Sequence, residues 1–436
     1  VDDDVSPNRR GADDFGGFGG FNGFGRMRPG AGVTATILTG AKVVTPDGIL
    51  DDASVRIKGD RIAAVGPHLE SESVPHTAGS VAGKPVGQTL SGEIRVDLSG
   101  RRVVPGYVDL HVHGGGGASY SSGDEDEARR VAQFHLAHGT TTSLASLVSA
   151  SMDDLVRQVT ALVPLVEDGT VAGIHLEGPY ISPARRGAHD PAVLREPSLD
   201  ELDRLLDASH GTIRMITLAP ELRGALPFIE KATARGVVAA IGHTDATYAQ
   251  TRDGIAAGAR VGTHLFNAMR GIHHREPGPI PALIEAPEVI VELINDGVHV
   301  HEAVARLVAN GVGLDRLALV TDAMAATGVG DGTYRLGSMT VRVENGVARL
   351  AGGGAIAGST LTMDAAFRRS VDSVGLPLPA AARAAATAPS RALGLEAQIG
   401  AIAHGLRADL VVLNADLTVA RVMRAGRWVS SSGPAS

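Results

Sequence analysis

Residues 105–114 read PGYVDLHVHG, a short apolar run that closes on two histidines one residue apart. Side chains at i and i+2 of a strand leave on the same face, so His111 and His113 can aim both imidazoles at one point. Seven further segments downstream have the same strand-like character: TTSLASLV, VAGIHLEG, IRMITLAP, VVAAIGH, RVGTHLF, VIVELIND and LALVTDA. Between them lie stretches long enough for crossover helices, among them DELDRLLDAS and PFIEKATARG. Eight apolar strands alternating with helices predict an α/β protein built on a (β/α)8 TIM-type barrel. In that fold the chemistry sits at the C-terminal strand ends. Here those ends finish with His113, the stretch 148–151, Glu177, Glu221, His243, His264, Asp296 and Asp322.

The flanks read differently. Residues 34–104 open with ATILTGAKVV and ASVRIKGDRIAAVG, the second carrying a Gly-Asp turn between its halves. Residues 390–436 contain ADLVVLNADLTVARVMRAGRWV, which reads as three short strands with turns. Two β-rich ends around an α/β middle predict a small β-sandwich assembled from both ends, with the barrel occupying residues 105–389. Residues 1–33 are a Gly/Phe-rich segment, DDFGGFGGFNGFGR at its centre, and ordering so much glycine is costly; a disordered tail is expected. The polar, Gly-rich stretch 67–92 reads as an irregular loop.

Composition narrows the chemistry. Aromatic residues make up only 3% of the 436 residues, so the core must be built from Ala, Val, Leu and Ile. A net charge of −8 argues against a nucleic-acid or anionic-membrane surface, while leaving room for a small anion held by a few local cations. Cysteine is absent, so disulfides and thiolate sites are excluded and any metal must rest on His, Asp and Glu. No apolar run reaches the roughly 18 residues of a membrane span. The first residues, VDDDVSPNRR, precede no apolar segment, and the cytoplasm is the expected location.

Glu177, His243 and His264 end three of the predicted strands and together offer one carboxylate and two imidazoles. That set suffices for one divalent metal with a position left open. His111 and His113 could complete a second metal position with Glu177 bridging; a hydrogen-bonded histidine pair without metal is the alternative. A carboxylated lysine bridge is not available, because Lys42, Lys58 and Lys84 precede the barrel and Lys231 lies in a predicted helix. The donors suit zinc, iron, manganese or cobalt, one or two ions per subunit. Asp322 is the candidate general base and acid beside such a centre. Its alternative is an N-cap for a following helix.

The motifs GYVDLHVHG, LEGPYISPARRGAHDP, IGHTDATY, THLFNAMRGIHHREPG, NDGVHVH, LVTDAM and AGSTLTMD run in order through the chain. From about residue 34 to 425 the sequence resembles the N-acetylglucosamine-6-phosphate deacetylases of the amidohydrolase superfamily. The resemblance implies a distorted barrel with a β-sandwich, usually a homodimer, and metal-dependent hydrolysis of an amino-sugar phosphate acetamide. Carried onto these residues, it implies that Glu177, His243 and His264 hold the principal metal and that His111 and His113 can hold a second. It also implies that His189 polarises the acetamide carbonyl, that Asn267 and the Ala268 backbone bind the phosphate, and that His299 contacts the substrate. Arg275 would reach the site of the neighbouring subunit. Independently, Arg275 is a fork-shaped cation in a Gly/Pro-rich loop, suited to phosphate, or else an ordinary solvated charge. Another superfamily activity, such as cyclic amide hydrolysis, leaves the NAM and REPG elements without a purpose.

Overall fold

Eight strands line up in chain order and pair in parallel: Tyr107–Asp109 (β1), Thr140–Val148 (β2), Gly173–Glu177 (β3), Ile213–Leu218 (β4), Val238–Ile241 (β5), Val261–Gly262 (β6), Ile290–Ile294 (β7) and Leu317–Val320 (β8). This computed structural model describes residues 35–67, 69, 93–352 and 354–430. The tail 1–33 and nearly all of the 67–92 stretch lie outside the described residues. Just beyond β8 the chain returns to β1. Val112 bridges Ala323 in parallel, Asp322 N donates to His111 O at 2.8 Å, and Thr321 Oγ1 donates to Asp109 Oδ2 at 2.6 Å. These bonds bring the last strand back onto the first, and the sheet curls into the predicted barrel.

Helices pack outside the strands, and their starts are written locally. Ser151, Ser198 and Thr247 each accept a backbone N–H two or three positions into the following helix, and Thr247 forms a capping box with Gln250. The interior is aliphatic, as the low aromatic content requires, and is assembled from many side chains each worth about 0.8 kcal/mol per buried methylene. A chain of polar groups crosses the barrel: His175 sits between Ser146 Oγ at 3.0 Å and Thr217 Oγ1 at 2.8 Å, and Thr217 meets Thr263 at 2.9 Å. Among the described residues no helix is long and apolar enough to cross a membrane.

The chain ends join as expected. Ala35–Thr45, Gly48–Lys58, Arg61–Pro67, Glu93–Asp97 and Arg102–Pro105 share one hydrogen-bonded sheet with Leu410–Leu413, Val419–Arg424 and Arg427–Trp428. Arg102–Pro105 pairs antiparallel with Leu410–Leu413, which ties the two ends together around their own core of Leu38, Val55, Ile57, Val103, Leu410 and Met423. The run read as one strand, VVPGYVDLHVH, divides. Its first half belongs to this end domain and its second half opens the barrel. Gly106 is the junction, where a Cβ would stand 2.3 Å from Thr141 Oγ1. Only glycine lets the two sheets approach that closely.

One element was not anticipated. After β8 the chain forms a three-stranded antiparallel sheet, Gly332–Leu336, Met339–Glu344 and Val347–Leu350. Its signal was present as Asn345-Gly346, whose positive φ values of 51° and 73° make the tight hairpin turn. Its apolar face packs with Val148, Ala188 and Met324 beside the barrel mouth.

Candidate active site

Strand β3 carries Glu177 to the barrel mouth, where the carboxylate is almost wholly buried. The chain then leaves through Gly178 at φ 79° and a cis Gly178–Pro179 bond. A Cβ at Gly178 would lie 2.3 Å from Ser149 Oγ, so the exit demands glycine. Each oxygen of Glu177 faces a different pair of rings. Oε1 lies 2.9 Å from His243 Nε2 and 3.0 Å from His264 Nε2, and those two nitrogens are 3.2 Å apart. Oε2 lies 3.2 Å from His113 Nε2 and 3.2 Å from His189 Nε2. His111 Nε2 is 3.1 Å from His113 Nε2 and 3.5 Å from Glu177 Oε1. Two triads therefore share one carboxylate: Glu177, His243 and His264, and His111, His113 and Glu177, each with ligand atoms within 4.8 Å.

The outer ring nitrogens decide what the inner ones can do. His243 Nδ1 meets Arg185 O at 2.9 Å, and His113 Nδ1 meets Ser146 O at 3.1 Å. A carbonyl only accepts, so both rings carry a proton on Nδ1. In the neutral ring the Nε2 lone pair is left facing inward. Acceptors converging on a carboxylate at these distances repel unless a cation or extra protons lie among them. The donor set thus fits a divalent metal, and the directions of the side chains are those of ligands.

Burial and the neighbouring charges act on these groups in opposite directions. Burial disfavours charge on His113, but Asp322 and Glu177 outweigh it and lift the ring to about 9. Burial likewise pushes Glu177 up, and the charges of His111, His189 and His243 more than reverse it, holding the carboxylate well below its usual range. Asp322 follows the same balance: burial raises it, whereas the hydrogen bond to His113 and the charges of His111 and His113 bring it down to about 2. Its Oδ1 lies 3.2 Å from His113 Nε2 and 3.7 Å from His111 Nε2. No helix follows Asp322; the next residues form a bridge and a turn, so the N-cap alternative does not apply.

His189 is arranged in the opposite sense to the ligand-like histidines. Ser149 N–H donates to its Nδ1 at 3.3 Å, and Ser149 Oγ lies 2.8 Å from the same nitrogen. The neutral ring must then carry its proton on Nε2, facing the cluster. Burial pushes the ring down to about 4, so it stays neutral near pH 7 and can donate. Gly187 packs against His243, a Cβ there standing 3.1 Å from His243 Cε1. Four site residues adopt left-handed backbone: His243 at φ 47°, His264 at 27°, Ala268 at 48° and Asp322 at 49°. Such conformations cost of order 1–3 kcal/mol each and concentrate at sites that position reacting groups.

His299 Nδ1 donates to Asp296 Oδ2 at 2.6 Å. Asn267 Nδ2 donates to His264 O at 3.1 Å, and Ala268 has φ 48°, its carbonyl accepting from Thr244 N. Arg275 is exposed and bonded within its own loop, Nη1 lying 2.7 Å from His274 Nε2, and no contact joins it to the cluster of its own chain among the described residues. Glu221, though at the end of β4, turns away to accept from Thr244 Oγ1 and Asp245 N, both at 2.6 Å. The sequence reading missed Ser149 as the group that orients His189. Its position within the 148–151 strand end was the available signal.

Residues 102–429 match the amidohydrolase family. The chain is 35% identical to an N-acetylgalactosamine-6-phosphate deacetylase of Escherichia coli O157:H7, over 90% of this chain and 99% of that protein. It is 36% identical to the human N-acetylglucosamine-6-phosphate deacetylase, over 77% of this chain and 85% of that one. Among solved structures, a mutant N-acetyl-D-glucosamine-6-phosphate deacetylase of Mycobacterium smegmatis, in complex with N-acetyl-D-glucosamine-6-phosphate, superposes with a TM-score of 0.83. It shares 49% identity, over 91% of this chain and 99% of that one. The Thermotoga maritima N-acetylglucosamine-6-phosphate deacetylase superposes at 0.78 with 30% identity, over 90% and 99% of the two chains.

Proposed function

The chain belongs to the amidohydrolase family, within its amino-sugar-phosphate deacetylases, and from that premise we propose that it hydrolyses N-acetylglucosamine 6-phosphate to glucosamine 6-phosphate and acetate. The observation that carries this reading is the pair of triads sharing Glu177, with Asp322 and the Nε2–H of His189 at their edge. The reaction belongs to amino-sugar catabolism or recycling, in the cytoplasm.

Glu177, His243 and His264 would hold the principal divalent ion, with His111 and His113 available to a second. When bound, the metal supplies Lewis acidity that sharpens a water for attack and polarises the amide. Zinc, iron, manganese and cobalt all suit these donors. Asp322, ionised, takes the proton of the attacking water as the new C–O bond forms. His189 donates from Nε2 to the carbonyl oxygen as negative charge develops there. Asp322 then returns its proton to the nitrogen as the C–N bond breaks, because an unprotonated amine is a poor leaving group. The Ala268 backbone and Asn267 engage the phosphate and His299 the sugar. Arg275, which is exposed and bonded within its own loop, reaches the phosphate in the neighbouring copy of a homodimer.

The test is acetate release from N-acetylglucosamine 6-phosphate before and after metal stripping. N-acetylgalactosamine 6-phosphate, its C4 epimer, and unphosphorylated N-acetylglucosamine serve as comparisons. Metal-dependent release that favours the phosphorylated gluco sugar supports the whole reading. Preference for the galacto epimer reassigns the substrate, and equal release from the unphosphorylated sugar removes the phosphate roles.

A further inference from the structure

Of the histidines in the cluster, His111 is the one backed by a carboxylate. We propose that Glu292 is a positioning residue that fixes His111 for the second metal position, an inference that rests on the two-ion form of the function proposed above. Glu292 projects from β7 into the closed interior and is fully buried. Its Oε2 stands 3.5 Å from His111 Nδ1 and accepts the backbone N–H of His264 at 3.2 Å. Among the described residues neither its Oε1 nor His111 Nδ1 has a hydrogen-bond partner.

Among the described residues no other group takes the part. The ring of His175 stands edge-on to His111 at 4.6 Å, but both its nitrogens are occupied by Ser146 and Thr217. His113 and His243 have their Nδ1 protons held by main-chain carbonyls, which no substitution removes. His111 depends on a side chain. A carboxylate so buried and so sparsely bonded is disfavoured by desolvation. A carboxylate behind a ligating imidazole, in contrast, is a recurrent arrangement: it holds the ring proton on the outer nitrogen, aims the inner lone pair and strengthens it as a ligand. The 3.5 Å separation is long for a hydrogen bond, and the inner nitrogen of the same ring, His111 Nε2, stands 3.5 Å from Glu177 Oε1 and 3.7 Å from Asp322 Oδ1.

Glu292→Gln keeps the volume and an acceptor for His264 N–H but loses the charge; Glu292→Leu removes the acceptor too. Binding of zinc alone, and separately of manganese alone, is measured without substrate by equilibrium dialysis and metal analysis. We expect Gln to weaken the second ion about tenfold and Leu about a hundredfold, the range found for partners behind a ligand. The first ion should be held as in the parent protein by the Gln variant, and the metal-free melting temperature of that variant should be unchanged. Combined with His111→Gln, the Glu292→Gln change should have no further effect on metal binding. Two ions held with parental affinities by both variants overturn the proposal. Equal weakening of both ions in the Gln variant, or a single ion in the parent protein, also overturns it. If the Leu variant does not fold, the Gln variant alone decides between these results. Acetate release by the parent protein is scored separately, so failure of the deacetylase reading is not mistaken for failure of this one.

Discussion

Glu177 Oε1 lies 2.9 Å from His243 Nε2, across a gap between two strand ends that are far apart in sequence. The lone pair of His243 is aimed there because its other nitrogen is bound to Arg185 O. His243→Ala should therefore release the principal ion on dialysis, and chelation of the parent protein should abolish acetate release until a divalent ion is restored. Unchanged metal content in the alanine variant would contradict ligation.

Asp322 stands 3.2 Å from His113 Nε2 at the edge of the cluster. Asp322→Asn preserves shape and hydrogen bonding but cannot accept a proton. Turnover should fall on the order of 10²–10⁴-fold, the usual contribution of general acid–base catalysis, with fold and metal content kept. Near-normal kcat in a metal-loaded Asn variant removes the role.

Arg275 makes its contacts away from its own cluster, so its loss is expected to act on the partner's site. Arg275→Ala should raise KM for the phosphorylated sugar on the order of 10–100-fold, the worth of a charge-assisted bond, and leave the unphosphorylated sugar unaffected. Mixed dimers of the Arg275→Ala and Asp322→Asn chains should regain activity, since one of the two sites then has both groups. Absence of any recovery in isolated hybrids would place Arg275 outside the neighbouring site.

His135 offers a test of stability against pH. The ring is fully buried, its Nε2 bonded to Gly114 O at 2.9 Å and its Nδ1 without a hydrogen-bond partner among the described residues. Burial depresses its protonation from 6.5 to about 4. The unfolded chain binds this proton more readily, so the contribution to stability is complete above pH 6.5 and is lost as the pH falls toward 4. The loss amounts to about 3 kcal/mol. Denaturant titrations from pH 7.5 to 4 should show a shallower acid decline for His135→Gln than for the parent. Parallel curves would show that the ring does not control that limb.

The barrel was legible because its signals are local. Apolar runs of strand length, helix-length spacers and Ser or Thr caps can each be read within a dozen residues. His111, His113, Glu177, His243, His264 and Asp322 were visible because each follows a strand run, and one fold rule sends all such ends to one face. Glu221 obeys the same rule and still faces away, since the rule places a residue at the rim without fixing its rotamer. Residue types, their order and their strand-end positions were thus determined by sequence alone, as were the exclusion of thiolate ligands and of a lysine bridge. The tertiary structure decided which nitrogen of each ring faces inward, that Ser149 turns His189 into a donor, and that Glu292 stands behind His111. Those properties depend on a partner a few ångströms away that is supplied by a different strand. Barrel closure sets such distances, and no local pattern in the chain encodes them.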